Sequence, residues 1–309
     1  MQEVDEFVAS MTSPGTAVPS HGWNSSLRIS RNALVRKVIE TVEDADQQVY
    51  IRGAAGTGKT VLLEQIAVQL KKEGKRAIFF RHPKEFADCW AQIQELTYVL
   101  VDEAHNAAKD AVWMYLKSGQ KKIFYTIAAG IPGGEHGSAI FSQHIEVGEM
   151  LLTIEDLLSP SVVEFYTNRF RESWKENIEE SKCDLIVRKV LQFCHKYTSG
   201  HSFPCLKMVE FFVTVDCEHC LNAEDIDIAL TQSILSTDFE PVYRTIYNRC
   251  YNQMNGTVLE KLASVWWDDQ TVSSAVLNEL GDLGLWLKEE NHIISLFVQL
   301  VILKKIGSA

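Results

Sequence analysis

The sequence lacks any apolar run long enough to cross a bilayer. Its strongest, Ile293 to Leu303, has eleven residues against the about 20 a spanning helix needs, and it reads as a buried core helix; no membrane partner is expected. The first residues hold Glu3, Asp5 and Glu6 and no secretory apolar segment. Cysteine is sparse. The 7 cysteines are scattered through 309 residues and odd in number, which excludes a disulfide framework and leads us to expect a reduced intracellular compartment, cytoplasm or nucleus. Positive charge is short as well: 30 Lys and Arg stand against 41 Asp and Glu, a net charge of −11. Phosphate contacts need clustered cations, so nucleic-acid binding by the surface at large is excluded, although a local basic groove is not.

What is present is 46% apolar content, enough for one sizeable core and one or two smaller units, and one decisive stretch. Gly53-Ala54-Ala55-Gly56-Thr57-Gly58-Lys59-Thr60 has the spacing of a phosphate-binding loop. Its glycines let backbone N–H groups turn toward phosphate oxygens, Lys59 neutralises β/γ charge, and the Thr60 hydroxyl is a Mg²⁺ ligand. The context agrees. Gln48 to Ile51 reads as a short strand, and Val61, Leu62, Ile66 and Leu70 give a helix whose N-terminus aims at the phosphates. The cradle is therefore expected to run from Gly53 through Val61.

A second motif follows. Tyr98-Val99-Leu100-Val101 is an apolar strand closing on Asp102-Glu103, where Asp102 would hold Mg²⁺ and Glu103 would activate the attacking water. The letters Asp102-Glu103-Ala104-His105 also occur in a helicase family. Such helicases need a second strand-helix domain, and the chain after residue 160 reads as almost wholly helical. No guanine-reading Asn/Thr-Lys-x-Asp tetrapeptide occurs, so ATP or ADP is the expected nucleotide.

Other candidates are less determined. Arg31 to Val42 has helical periodicity, and Arg31 or Asn32 would either touch base and ribose or simply cap the helix. Thr126, in the strand Ile123 to Ile127, is either a γ-phosphate sensor or a core threonine. The Gly-rich segment 130–138 reads as a mobile loop, and Gln143 to Met150 as a fifth strand. Arg169 would either reach a γ-phosphate or lie on a solvated helix face. The turn Ser199-Gly200-His201 would face adenine or phosphate. His195, His201, Cys205, Cys217, His219 and Cys220 contain one lone C-x-x-C and read as buried thiols and surface histidines, not a zinc site.

The expected architecture is α/β. A flexible segment spans 1–22, a five-stranded parallel phosphate-loop sheet with helices on both faces spans 23–150, a helical lid spans 151–221, and a winged-helix-like domain spans 222–309. That last domain should not read DNA. Between Lys261 and Lys288 there is no Lys or Arg, while Asp268, Asp269, Glu279 and Asp282 make its face negative. Protein contact, through the lid and this domain, is expected instead.

In order, Ser30-Arg31-Asn32, the phosphate loop, Val101-Asp102-Glu103 with Asn106, Ala128 to Pro132, Leu152-Thr153-x-Glu155 and Ser199-Gly200-His201 resemble the ATPases of the AAA+ and STAND group. Within it the pattern is most similar to the NTPase module of Crinkler and retrotransposon-hotspot effectors. The resemblance implies ATP binding and hydrolysis, conformational switching or oligomerisation, and a nuclear destination in a host cell. No acid-x-Lys nuclease constellation stands out, so the nuclease activity of those effectors is not carried over. Two functions stay open: an ATPase using Lys59, Thr60, Asp102, Glu103, Thr126 and an arginine, or a nucleotide-held interaction switch with negligible turnover.

Overall fold

The computed structural model describes residues 29–44, 48–93, 96–107, 124–130, 143–173, 179–214 and 226–251, together with the pairs 286–287 and 292–293. Helix α1 (Asn32–Asp44) buries Val35, Val38, Ile39 and Val42, the spacing that a single apolar stripe requires. It leads to β1 (Gln48–Arg52), the phosphate loop and α2 (Lys59–Lys72). Then come β2 (Ala77–Phe80), α3 (Pro83–Cys89), β3 (Thr97–Val101), β4 (Phe124–Gly130) and β5 (Gln143–Ile145). The strands form one parallel sheet in the order β2-β3-β4-β1-β5. Every residue of β3 is buried, as expected for a parallel strand covered on both faces.

Alternation along the strands divides the sheet into two cores. Val49, Ile51, Leu100 and Ile127 pack with Val38 of α1 and Leu62, Ile66 and Leu70 of α2. Tyr50, Val99, Val101 and Ala128 pack on the other face with Phe86 and Cys89 of α3.

Two strand limits differ from expectation. β4 continues through Ala128-Ala129-Gly130, because these small residues pair with Tyr50, Ile51 and Arg52 of β1. The fifth strand stops at Ile145, and Val147–Met150 is a 3₁₀ turn closed by a capping box between Glu146 and Glu149.

The chain then turns into helices α4 (Ile154–Leu157), α5 (Pro160–Ser173), α6 (Glu180–Thr198), α7 (Ser202–Thr214), α8 (Ile226–Leu235) and α9 (Glu240–Ile246), followed by a π-helical turn, Tyr247–Tyr251. Thr153 caps α4 through a capping box with Asp156. One core runs through all of these helices, from Leu157 and Phe170 to Phe239 and Ile246. The division expected at residue 222 therefore does not separate two cores among the described residues. Further on, β6 (Trp286–Leu287) pairs antiparallel with β7 (His292–Ile293). The helices expected near 259–265 and 272–280 lie outside the described residues, as do residues 1–22. Among the described residues, no helix is long and apolar enough to cross a membrane.

Candidate functional site

The site forms at the C-terminal ends of β1 and β3, the two strands that flank β4 in the sheet. The Gly53 N–H donates to Gly130 O at 3.2 Å, tying the start of the phosphate loop to the end of β4. At Gly56 the backbone is left-handed (φ 83°), and a Cβ there would meet Cys250 Sγ at 2.7 Å and Phe203 Cβ at 3.0 Å. Only glycine fits both the conformation and the space.

Lys59 opens α2 and is 7% exposed. Its Nζ donates to Gly53 O at 2.9 Å and to Ala54 O at 3.0 Å. Burial lowers its pKa, against the opposing pull of Glu103 and Asp102. Thr60 Oγ1 donates to Asp102 Oδ2 at 2.5 Å, so the two expected metal ligands meet across the gap between α2 and β3. Burial raises the Asp102 carboxyl, opposed by hydrogen bonds from Thr60 and the Glu103 N–H. The pattern tests the fit to magnesium and a triphosphate. Burial pushes both the ammonium and the carboxyl toward neutrality, and a phosphate anion beside the one and a divalent cation beside the other would favour their charged forms.

Glu103 adopts φ 49°, a left-handed conformation that is strained for a residue with a Cβ. Its Oε2 lies 3.5 Å from His105 Nε2. Burial lowers the His105 pKa, while Glu103 raises it. His105 Nδ1 is buried and has no partner among the described residues.

The structure does not bring every candidate to this site. Thr126 pairs in register with Gln48 and Val99. It lies four residues before the end of β4, roughly 13 Å down the strand from the loop, which corrects its assignment as a γ-phosphate sensor. Its Oγ1 is buried without a hydrogen-bond partner among the described residues. The Arg31 guanidinium points at the junction between the sheet and the helices that follow it, donating to the carbonyls of Glu149 (2.7 Å), Met150 (2.8 Å) and Leu151 (2.9 Å). Three of its five donors are so engaged with backbone rather than open to base or ribose. Arg169 on α5 lies over the Phe165 ring, 5.7 Å from its centroid. Val61 is 44% exposed on the first turn of α2, leaving its backbone rather than its side chain to the cradle. Residues 131–138 and 217–220 lie outside the described residues. His195 and His201 meet backbone oxygens, Leu152 O at 3.0 Å and Ala55 O at 2.8 Å.

The contribution of the helical region to the loop was not anticipated from the sequence. Ser202 Oγ donates to Thr57 O at 3.1 Å, and the Phe203 N–H to Gly56 O at 2.9 Å. Cys250 packs on Gly56, and the Arg249 guanidinium stacks over Phe203, 4.5 Å from the ring centroid. The only signal for this was the Ser199-Gly200-His201 turn itself.

Residues 23–129 match the family model described as Novel STAND NTPase 5. The matched segment holds α1, the phosphate loop and the acids at the end of β3. Together with the geometry above, it supports a P-loop NTPase module of the STAND kind over these residues. No curated protein matches the chain. Among solved structures, the Thermotoga maritima RuvB Holliday junction branch migration motor is similar at TM-score 0.41 and 16% identity, covering 81% of this chain and 82% of that one. Drosophila ORC bound to DNA is similar at TM-score 0.40 and 16% identity, covering 99% and 86%. A DNA replication initiation factor is similar at TM-score 0.34 and 11% identity, covering 75% and 97%.

Proposed function

We propose that this chain binds ATP with Mg²⁺ in the loop 53–60 and hydrolyses it, the cycle driving a conformational switch or self-association. The observation that carries the reading is the meeting of Thr60 and Asp102 beside buried Lys59. No single backbone motif produces that convergence. When bound, magnesium would neutralise the charge that develops on the β- and γ-phosphates. Thr60 and Asp102 would hold it, Lys59 would leave its loop carbonyls for the phosphate oxygens, and the loop amides and the start of α2 would take the rest of the anion. Glu103 would accept the proton of the attacking water, with His105 holding its carboxylate in place.

A second reading is a nucleotide-held protein-interaction switch with negligible turnover. The lid's hydrogen bonds to the loop favour it, because they connect nucleotide occupancy with the helical region directly. Single-turnover hydrolysis separates the two. Wild type should release phosphate in a Mg²⁺-dependent manner at least about a hundredfold faster than Glu103→Gln, whereas equal rates would leave the switch. Lys59→Ala should abolish binding on either reading.

The finer expectations belong with this proposal: adenine as the base, a protein partner or second copy engaged through the lid and the C-terminal region, and a cytoplasmic or nuclear setting. Kinship with Crinkler-type effectors, and with it a host nucleus, is supported by the order of sequence motifs alone.

A further inference from the structure

In a trans peptide the C=O of one residue and the N–H of the next point in opposite directions. A loop can therefore offer inward amides to a phosphate only while the preceding carbonyls are turned outward. Three successive outward carbonyls of this loop are taken by three successive residues of the lid. His201 Nε2 meets Ala55 O at 2.8 Å, the Phe203 N–H meets Gly56 O at 2.9 Å, and Ser202 Oγ meets Thr57 O at 3.1 Å. A carbonyl only accepts, so His201 presents Nε2 with its hydrogen. The His201 side chain is buried, 1% exposed.

We infer that His201-Ser202-Phe203 is a positioning clamp through which the lid holds the phosphate loop in its receiving shape, making nucleotide affinity depend on the lid being seated. The inference rests on the nucleotide reading above and adds the control of that site. The three residues touch the loop backbone rather than the reacting atoms, so they act through the loop.

The test is amide hydrogen exchange on nucleotide-free protein, with MgATP binding measured on the same samples. His201→Phe keeps a ring and removes the donor; Ser202→Ala removes one hydroxyl. Exchange should quicken about tenfold at the hydrogen-bonded amides of Thr57 and Phe203 in both, with β3 unchanged and MgATP bound about tenfold more weakly. His201→Gln, whose amide nitrogen can donate to the same carbonyl, should return both readouts to within about threefold of wild type. Unchanged loop exchange in both variants, or a glutamine no better than phenylalanine, overturns the clamp. Should His201→Phe not fold, Ser202→Ala decides alone. The two proposals fail separately. A wild type that binds no nucleotide but whose loop exchange responds to these changes keeps the hold of His201-Ser202-Phe203 on the loop and loses the nucleotide reading, and with it the control of affinity. One that binds MgATP with loop exchange unmoved does the reverse.

Discussion

Glu103 sits in a conformation that glycine and asparagine tolerate far better than glutamate, at φ 49° directly after the metal-ligand candidate. Left-handed backbone at a residue with a Cβ costs about 1 kcal/mol or more and persists where neighbouring structure enforces it. The Glu103 N–H bond to Asp102 Oδ1 (2.9 Å) is part of that enforcement. Glu103→Asn should therefore be more stable than Glu103→Ala by about 0.5–1 kcal/mol in urea unfolding, with both unable to release phosphate. His201 gives a second effect at this scale. Burial lowers its pKa from 6.5 to about 4, with nearby Lys59 acting in the same direction and the Ala55 bond against it. Between those values the unfolded chain binds a proton that the folded chain does not. Stability should therefore fall as pH drops from 6.5 to 4, by on the order of 3 kcal/mol from this group, and level off below. Urea midpoints from pH 4 to 7.5 should show a shallower slope for His201→Gln than for wild type.

The segment 149–152 joins the sheet to the helical region and is tied down from both. Four successive carbonyls, at 149, 150, 151 and 152, are held by side chains: Arg31 takes the first three and His195 the fourth. Leu152 is also fixed by its N–H to Gly200 O at 2.8 Å. Arg31→Ala should cost about 2–4 kcal/mol, since charged hydrogen bonds are lost and buried carbonyls are left bare. Arg31→Lys should recover little of it, because an ammonium cannot span three carbonyls as the planar fork does. Thermal unfolding would check both, and a loss of nucleotide binding with no loss of stability would return Arg31 to the base or ribose. Gly200 has φ 75°, and a Cβ there would come within 2.1 Å of Leu152 O, so Gly200→Ala should destabilise by about 2 kcal/mol or more. The helix of Arg31 was legible from its own periodicity. Its guanidinium's target was not, because that target lies 118 to 120 residues away and nothing local encodes it. Thr126 was misplaced for a related reason: apolar pattern locates a strand, but its end depends on which residues of β1 it pairs with.

At the scale of the molecule, the legible part was what repeats a local pattern: five strands, the loop between β1 and α2, the acids after β3, and a helical region after the sheet. Strand order and the clamp were not legible, since His201 and Ser202 reach partners 146 and 145 residues earlier. If the proposed clamp operates, that long reach makes the helical region a partner in binding. Coupling between two sites is reciprocal: if a seated lid favours nucleotide, bound nucleotide must favour a seated lid by the same free energy. At about a hundred times Kd, ligand adds about 2.7 kcal/mol to any opening that must first release it. MgATP should therefore slow exchange at residues 203–206 of α7 up to about a hundredfold, as well as in the loop, provided those amides exchange by lid opening. Lys59→Ala should abolish both effects together. Protection confined to the loop, with α7 indifferent to nucleotide, would mean that the lid rests on the site without sensing what it holds.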